Sequence, residues 1–177
     1  MKKIPTIFKR PVQGSSVVDE INEVCAWVFE GQGVATHKYD GTCVKIENGE
    51  YLKRREVKKG KKAPIDFIEE DYDVNTGKMM GWVPVWDSPE NKYHMEGLGN
   101  LAHEEDGTYE LIGPKVQGNP EKVSEHILVK HSTAPRFIVE DISYEGIKNM
   151  LSGMDIEGFV FHHPDGRMAK IKNKDFK

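Results

Sequence analysis

Apolar and polar residues alternate with period two on both sides of Asn48-Gly49, along Thr42 to Glu47 and Glu50 to Val57. Asn-Gly between two alternating runs predicts a hairpin with a type I′ turn, because both residues tolerate the positive φ that this turn requires. With Asn48 and Gly49 as the loop, Glu47 pairs with Glu50, and the same count sets Thr42 opposite Arg55. Val44, Ile46, Tyr51 and Lys53 then share a face, Arg55 is expected beside the loop that follows Lys38, and Arg54 points to the other face. A second alternating pair, Glu157 to His163 and Arg167 to Lys172, flanks Pro164-Asp165-Gly166. Period two aims Lys170 and Lys172 at one face and Ile171 at the other. A two-residue Asp165-Gly166 loop pairs Phe161 with Lys170 and puts Glu157 on the lysine face. A three-residue loop with Pro164 puts Glu157 opposite, unless a bulge intervenes. The alternation leaves both registers open.

Elsewhere the pattern is helical or interrupted. Val17, Val18, Ile21, Val24, Cys25 and Val28 recur at helical spacing after Ser16, with Asp19 placed as a capping-box partner and Gly31 as a left-handed terminator, which predicts a helix from Ser16 to Gly31. Gly33 to Lys38 reads as a strand. Pro64 to Glu70 predicts a short helix, and the acidic stretch after it predicts loop around one strand, Met79 to Trp86. Thr108 to Gly113 and His126 to Lys130 read as strands. Ser143 to Met150 reads as a helix with Ile142, Ile147, Met150 and Leu151 as its apolar stripe and Gly153 as its end. With no internal repeat and no low-complexity linker, residues 1–177 are expected to form one domain.

Composition limits the partners. A hydrophobic fraction of 37% with scattered aromatics argues against disorder, and no apolar run approaches a membrane span or a secretion signal, so the expected location is cytoplasmic with no membrane partner. Cys25 and Cys43 lack metal-ligand spacing and read as buried thiols. The net charge of −4 hides segregation: Lys53 to Lys62 carries seven basic residues against Glu56, while Ala63 to Glu110 carries twelve acidic residues against Lys78 and Lys92. The basic run suits a phosphate backbone, or simply a solvated face. His126, His131, His162 and His163 could suggest a metal set, but neighbours such as His162 and His163 point to opposite faces of a strand, so surface or core roles are expected for these histidines.

The candidate chemistry centres on Thr36-His37-Lys38-Tyr39-Asp40-Gly41-Thr42. In order along the chain come Lys38-Tyr39-Asp40-Gly41, Arg55, Glu110 near Gly113, Glu157-Gly158-Phe159-Val160 and Lys170-Ile171-Lys172. This order resembles the motifs of the covalent nucleotidyltransferases, the superfamily of DNA ligases, RNA ligases and messenger-RNA capping enzymes. Gly81 to Val85, Tyr109 to Gly113 with Gly118-Asn119-Pro120, and Glu157 to Lys172 are similar to the small eukaryotic 5′-to-3′ RNA ligases. Two departures stand out: His37 precedes the lysine where many RNA ligases carry Glu, and no length remains for an appended OB-fold.

The resemblance implies an α+β fold, a single adenylyltransferase domain of mainly antiparallel sheets with flanking helices. It implies an ATP-dependent RNA ligase using Mg²⁺, with Mn²⁺ as an alternative. Its partner would be RNA with 5′-phosphate and 3′-hydroxyl ends. A free lysine is neutral at pH 7 in only roughly one molecule in a few thousand, so a nucleophilic lysine needs desolvation or neighbouring cations to lower its pKa. On the resemblance Lys38 takes AMP, Asp40 supports it, and Arg55 and Glu110 hold the ribose. Glu157 orients the lysine or the metal, Lys170 and Lys172 contact the α-phosphate, and Phe137 stacks on adenine. A minimal DNA ligase, a guanylyltransferase and a silent nucleic-acid-binding module are the competing readings.

Overall fold

The computed structural model describes residues 2–177. Its strands are β1 (Val34–Lys38), β2 (Thr42–Glu47), β3 (Glu50–Val57), β4 (Ile68–Asp73), β5 (Lys78–Pro84), β6 (Gly107–Ile112), β7 (Ile127–Lys130), β8 (Arg136–Phe137), β9 (Gly158–His162) and β10 (Met168–Lys172). The helices are α1 (Ala26–Phe29), α2 (Lys92–Gly99) and α3 (Tyr144–Ser152). The chain divides into two compact units, one of residues 40–133 with the first residues of the chain, the other of residues 4–39 and 134–177. The first holds a six-stranded sheet in the order β4-β5-β3-β2-β6-β7, the second a four-stranded sheet in the order β10-β9-β1-β8. All strand pairs in both are antiparallel, so the α+β class read from the sequence holds. Among the described residues no helix is long and apolar enough to cross a membrane.

The four-stranded unit has one apolar and one polar sheet face. Ala35, Phe159, Phe161, Ala169 and Ile171 are buried on the apolar face in one cluster with Trp27, Val28, Ile147 and Leu151. Each large side chain so buried contributes roughly 2 kcal/mol, enough to fix which face turns inward. Helix α3 begins where Ser143 caps it, its hydroxyl accepting from the Gly146 N–H at 3.1 Å, and ends at Gly153. Residues 5–7 run parallel to β10, with Lys170 donating to the Pro5 carbonyl and Ile7 donating to that of Lys170.

In the six-stranded unit the β2–β3 hairpin forms as read: Asn48 and Gly49 have φ of 52° and 78°, and Glu47 pairs with Glu50. Val44, Ile46, Tyr51, Tyr109, Leu111 and Leu128 form a buried cluster on one face, with Met95 and Leu98 of α2 packed against it.

Three elements differ from the sequence pattern. Only Glu23–Cys25 and Ala26–Phe29 are helical in the stretch expected to be a helix from Ser16. Val17 donates to the Asp175 carbonyl, Val18 to that of Lys9, and Phe8 bridges Ile21, so β-branched residues at helical spacing are recruited into extended pairings. Gly31 keeps its expected role at φ 72°. The helix expected at Pro64 to Glu70 is replaced by a turn and strand β4, whose residues pair with β5. The acidic stretch expected as loop contains α2.

The C-terminal hairpin adopts the three-residue loop: His163 donates to the Arg167 carbonyl, Lys170 pairs with Val160 and Lys172 with Gly158. Strict alternation would put Glu157 on the apolar face. It escapes because regular pairing begins at Gly158, where a Cβ would lie 2.0 Å from the Ile171 carbonyl oxygen and 2.7 Å from the Lys172 Cα. Only a glycine permits this approach, and Glu157 sits in the bend before it. Gly158→Ala is therefore expected to destabilise the protein by about 3 kcal/mol, the upper range for overpacking, measured as a lowered denaturant midpoint at unchanged slope.

Candidate active site

The polar face of the four-stranded sheet carries the lysines. Lys38 on β1 and Lys172 on β10 both pair with Gly158 on the intervening strand, which places two lysines in one row across β9 with no side chain between them. Adjacent strands lie about 4.8 Å apart, so the gap over Gly158 is wide enough for a carboxylate group. Glu157 fills it. Lys38 Nζ donates to Glu157 Oε2 at 2.5 Å, and Lys172 Nζ forms an ion pair with Oε1 at 2.5 Å. The Glu157 side chain is 5% exposed, against 19% for Lys38 and 21% for Lys172. Burial by itself would raise the Glu157 pKa, but Lys38 and Lys172 together outweigh it and hold the carboxyl below the usual range.

Lys170 occupies the next row, paired with Val160, which pairs in turn with Thr36. Thr36 donates to the Val160 carbonyl at 3.2 Å and lies 3.0 Å from His162 Nε2. With Val160 on one side and residues 5–7 on the other, Lys170 is half-buried. Burial, then the charges of Lys172 and Lys38, push its pKa down to about 8, against partial opposition from Asp175 and Glu157. The arrangement thus brings together Lys38, Glu157, Lys170 and Lys172 of the sequence-predicted set.

Phe137 belongs to the same unit but to the other face. It pairs with Ala35 and packs against Phe159, ring centroids 5.3 Å apart, at the margin of the apolar core. His37, the departure in the lysine motif, stacks on Tyr39 at 4.1 Å.

Asp40, Arg55 and Glu110 lie in the six-stranded unit. The Asp40 N–H donates to Glu121 Oε1 at 3.0 Å. Gly41 lets β6 approach closely, since a Cβ there would meet the Leu111 carbonyl oxygen at 2.2 Å and Glu110 Cγ at 2.8 Å. Cys43 pairs with Glu110, and Lys45 pairs with Leu52, so Arg54, two residues along from Leu52, shares the Glu110 face. Both groups act on the Cys43 thiol, whose pKa is pushed up to about 12 by burial and then Glu110, with Arg54 opposing. Arg55 is exposed and pairs with Gly81, on the face of Lys53 and Val44. The hairpin count put the two arginines on opposite faces, as observed: Arg54 shares a face with Glu110, and Arg55 lies on the other. The β2–β3 pairing runs from Glu47–Glu50 to Val44–Lys53, and Thr42 pairs with Leu111.

His131 is a residue that the sequence reading left among surface or core histidines. Its Nε2 lies 3.0 Å from Glu110 Oε2 and its Nδ1 lies 3.0 Å from Thr108 Oγ1. The β6–β7 register explains the contact: Tyr109 pairs with Lys130, so the next position sets His131 across from Thr108. Cross-strand register was the missing signal.

Among the described residues no group of three or more His, Cys, Asp or Glu side chains is disposed to hold a metal ion. A single carboxylate, Glu157, fits Mg²⁺ or Mn²⁺ carried in with a polyphosphate, since such ions are held by one or two carboxylates, substrate phosphates and water.

No protein-family model and no curated protein matches the chain. Among solved structures it is similar to an RNA ligase mutant of Naegleria gruberi with AMP and Mn, at 16% identity and a TM-score of 0.47, over 97% of this chain and 60% of that one. The chain thus spans about three-fifths of that ligase.

The lowered Lys170 pKa fixes a pH dependence. Below pH 8 the folded and unfolded chains both carry the proton and the cost of burying the charge is fully present; between about 8 and the ordinary lysine value of 10.5 the folded chain releases its proton first, so stability rises with pH. The buried Cys43 thiol, raised to about 12, pulls stability the other way above the ordinary thiol range, so the Lys170 contribution is read as the difference between the parent protein and Lys170→Met in urea titrations, which should rise with pH across this range. In NMR spectra of the methylated lysines, one resonance should titrate near pH 8, and lower still in Glu157→Gln, which removes a carboxylate that favours the Lys170 proton.

Proposed function

We propose that the chain is an ATP-dependent RNA ligase, a single adenylyltransferase domain with a lysyl-AMP intermediate on Lys38. The observation that carries the reading is the row Lys38–Glu157–Lys172 with Lys170 beside it, a nucleophile, a buried carboxylate and two cations on one sheet face. An ion pair serving stability alone needs one lysine, whereas three lysines on one face are electrostatically costly and suit a polyphosphate that completes their neutralisation.

In the first step the Lys38 Nζ lone pair forms a bond to the α-phosphorus of ATP and the bond from that phosphorus to the bridging oxygen breaks, releasing pyrophosphate. Nζ loses its proton past Glu157 Oε2, at 2.5 Å, to solvent. Glu157 orients the amine, and Lys170 and Lys172 stabilise the negative charge that spreads over the phosphates. A divalent cation, Mg²⁺ or Mn²⁺, would be held by Glu157 and would neutralise phosphate charge when bound. Glu110 is assigned to the ribose hydroxyls with Arg54, which shares its face, in place of Arg55; Asp40 is a supporting carboxylate, and Phe137 packs against the core. AMP then passes to an RNA 5′-phosphate, and a 3′-hydroxyl attacks that phosphate and displaces AMP. The exposed lysines Lys58, Lys59, Lys61 and Lys62 suit the RNA backbone.

Incubation with α-labelled ATP or GTP and Mg²⁺ tests the reading. Label from ATP should survive denaturation, vanish in Lys38→Ala, and form roughly 100-fold more slowly in Lys170→Met and Lys172→Met. No label on folded protein would overturn the enzyme reading, and label from GTP alone would indicate a capping activity. Nicked or broken RNA and DNA strands then separate the two ligase types.

A further inference from the structure

We infer that His131 is a positioning residue for Glu110, fixing the carboxylate so that its second oxygen accepts a nucleotide ribose hydroxyl; the ribose assignment rests on the function proposed above. The side chains lie in one unit and their order is dictated by register. Thr108 and Glu110 point to the same face of β6, two residues apart, and His131 follows the end of the adjacent strand β7, opposite Thr108. The imidazole spans both, 3.0 Å from Thr108 Oγ1 and 3.0 Å from Glu110 Oε2. Both side chains are substantially sheltered, His131 at 24% exposure and Glu110 at 12%.

Donor and acceptor chemistry orders this chain. An ionised carboxylate only accepts, so His131 Nε2 must carry a proton toward Glu110. In a neutral imidazole Nδ1 is then the acceptor, and the Thr108 hydroxyl is its donor. The result is a directed relay, Thr108 Oγ–H to His131 Nδ1 and His131 Nε2–H to Glu110 Oε2. It holds the imidazole in one tautomer and the carboxylate in one orientation. Glu110 Cγ packs over Gly41, where only the absence of a side chain leaves it room. With Oε2 engaged by His131, Oε1 is the oxygen presented to a hydroxyl donor. A freely rotating carboxylate would pay rotamer entropy at each binding event, so the contact should act on nucleotide affinity and hydroxyl selectivity more than on the chemical step.

The experiment measures lysyl-AMP formation with ATP, 2′-deoxy-ATP and 3′-deoxy-ATP, in the parent protein and in His131→Ala, His131→Gln and Thr108→Val. His131→Ala should raise KM for ATP about tenfold, leave the saturating rate within about twofold, and erase most of the preference for ATP over whichever deoxynucleotide the parent discriminates against. His131→Gln, whose amide N–H replaces the Nε2 donor, should recover most of that preference, which a general loss of packing would not allow. Thr108→Val should fall between. Nitrogen-15 spectra should show the Nε2–H tautomer for His131, with its resonances shifted in Glu110→Gln. Label on the parent with unchanged KM and selectivity in His131→Ala, or the Nδ1–H tautomer, overturns the inference alone. No label on the parent overturns the functional reading and leaves His131 a structural role only.

Discussion

The site depends on one interaction, the Glu157 carboxylate held between the ammonium groups of Lys38 and Lys172, 2.5 Å from each. Three lysines on one face of a small sheet repel one another, and a single pair of like charges about 4 Å apart costs on the order of 4 kcal/mol near a protein surface. Glu157 offsets that repulsion for two of them, while burial and then the charges of Lys172 and Lys38 still disfavour the proton on Lys170. The sheet supplies the geometry: Gly158 between the two lysines gives the carboxylate space, and its close approach to the Ile171 carbonyl coincides with the bend that carries Glu157. Electrostatics and backbone packing therefore constrain the same two residues, 157 and 158.

The apolar face makes this arrangement sustainable. Phe159, Phe161, Ala169 and Ile171 are buried with Ile147 and Leu151, and they alternate along β9 and β10 with the residues of the lysine face. A strand cannot slip by one residue without exchanging the two sets, so burial of the aromatic rings fixes the register that aligns the lysines. Phe137 belongs to this supporting face. In the other unit the same division recurs: Val44, Tyr109 and Leu111 face the core, while Arg54, Cys43, Thr108 and Glu110 share the opposite face.

Both hairpins were legible from alternation and turn chemistry, because Asn48-Gly49 and Pro164-Asp165-Gly166 punctuate strands whose patterns are strong. Alternation also put Lys170 and Lys172 together and Arg54 and Arg55 apart. It did not tell which of the two arginines on β3 shares a face with Glu110 on β6, since that depends on β2 pairing with β6, a contact between residues more than sixty apart in sequence. The position of Glu157 was undecidable for a different reason: period two ends where the strand ends, and the bend at Gly158 is a tertiary fit. The helix expected from Ser16 fails because Val17, Val18 and Ile21 suit extended pairing as well as a helical stripe, and partners from residues 7–9 and Asp175 decide the matter. His131 was invisible for want of the β6–β7 register.

We propose Lys38, rather than its neighbour Lys170, as the nucleophile. Burial and then the charges of Lys172 and Lys38 lower the Lys170 pKa, whereas Lys38 is the amine oriented by Glu157, so orientation is held to decide which lysine attacks. Mass spectrometry of peptides from protein incubated with ATP and Mg²⁺ decides this directly. A single AMP adduct is expected on the peptide carrying Lys38; an adduct on Lys170, or none on a folded protein, would contradict the assignment of Lys38.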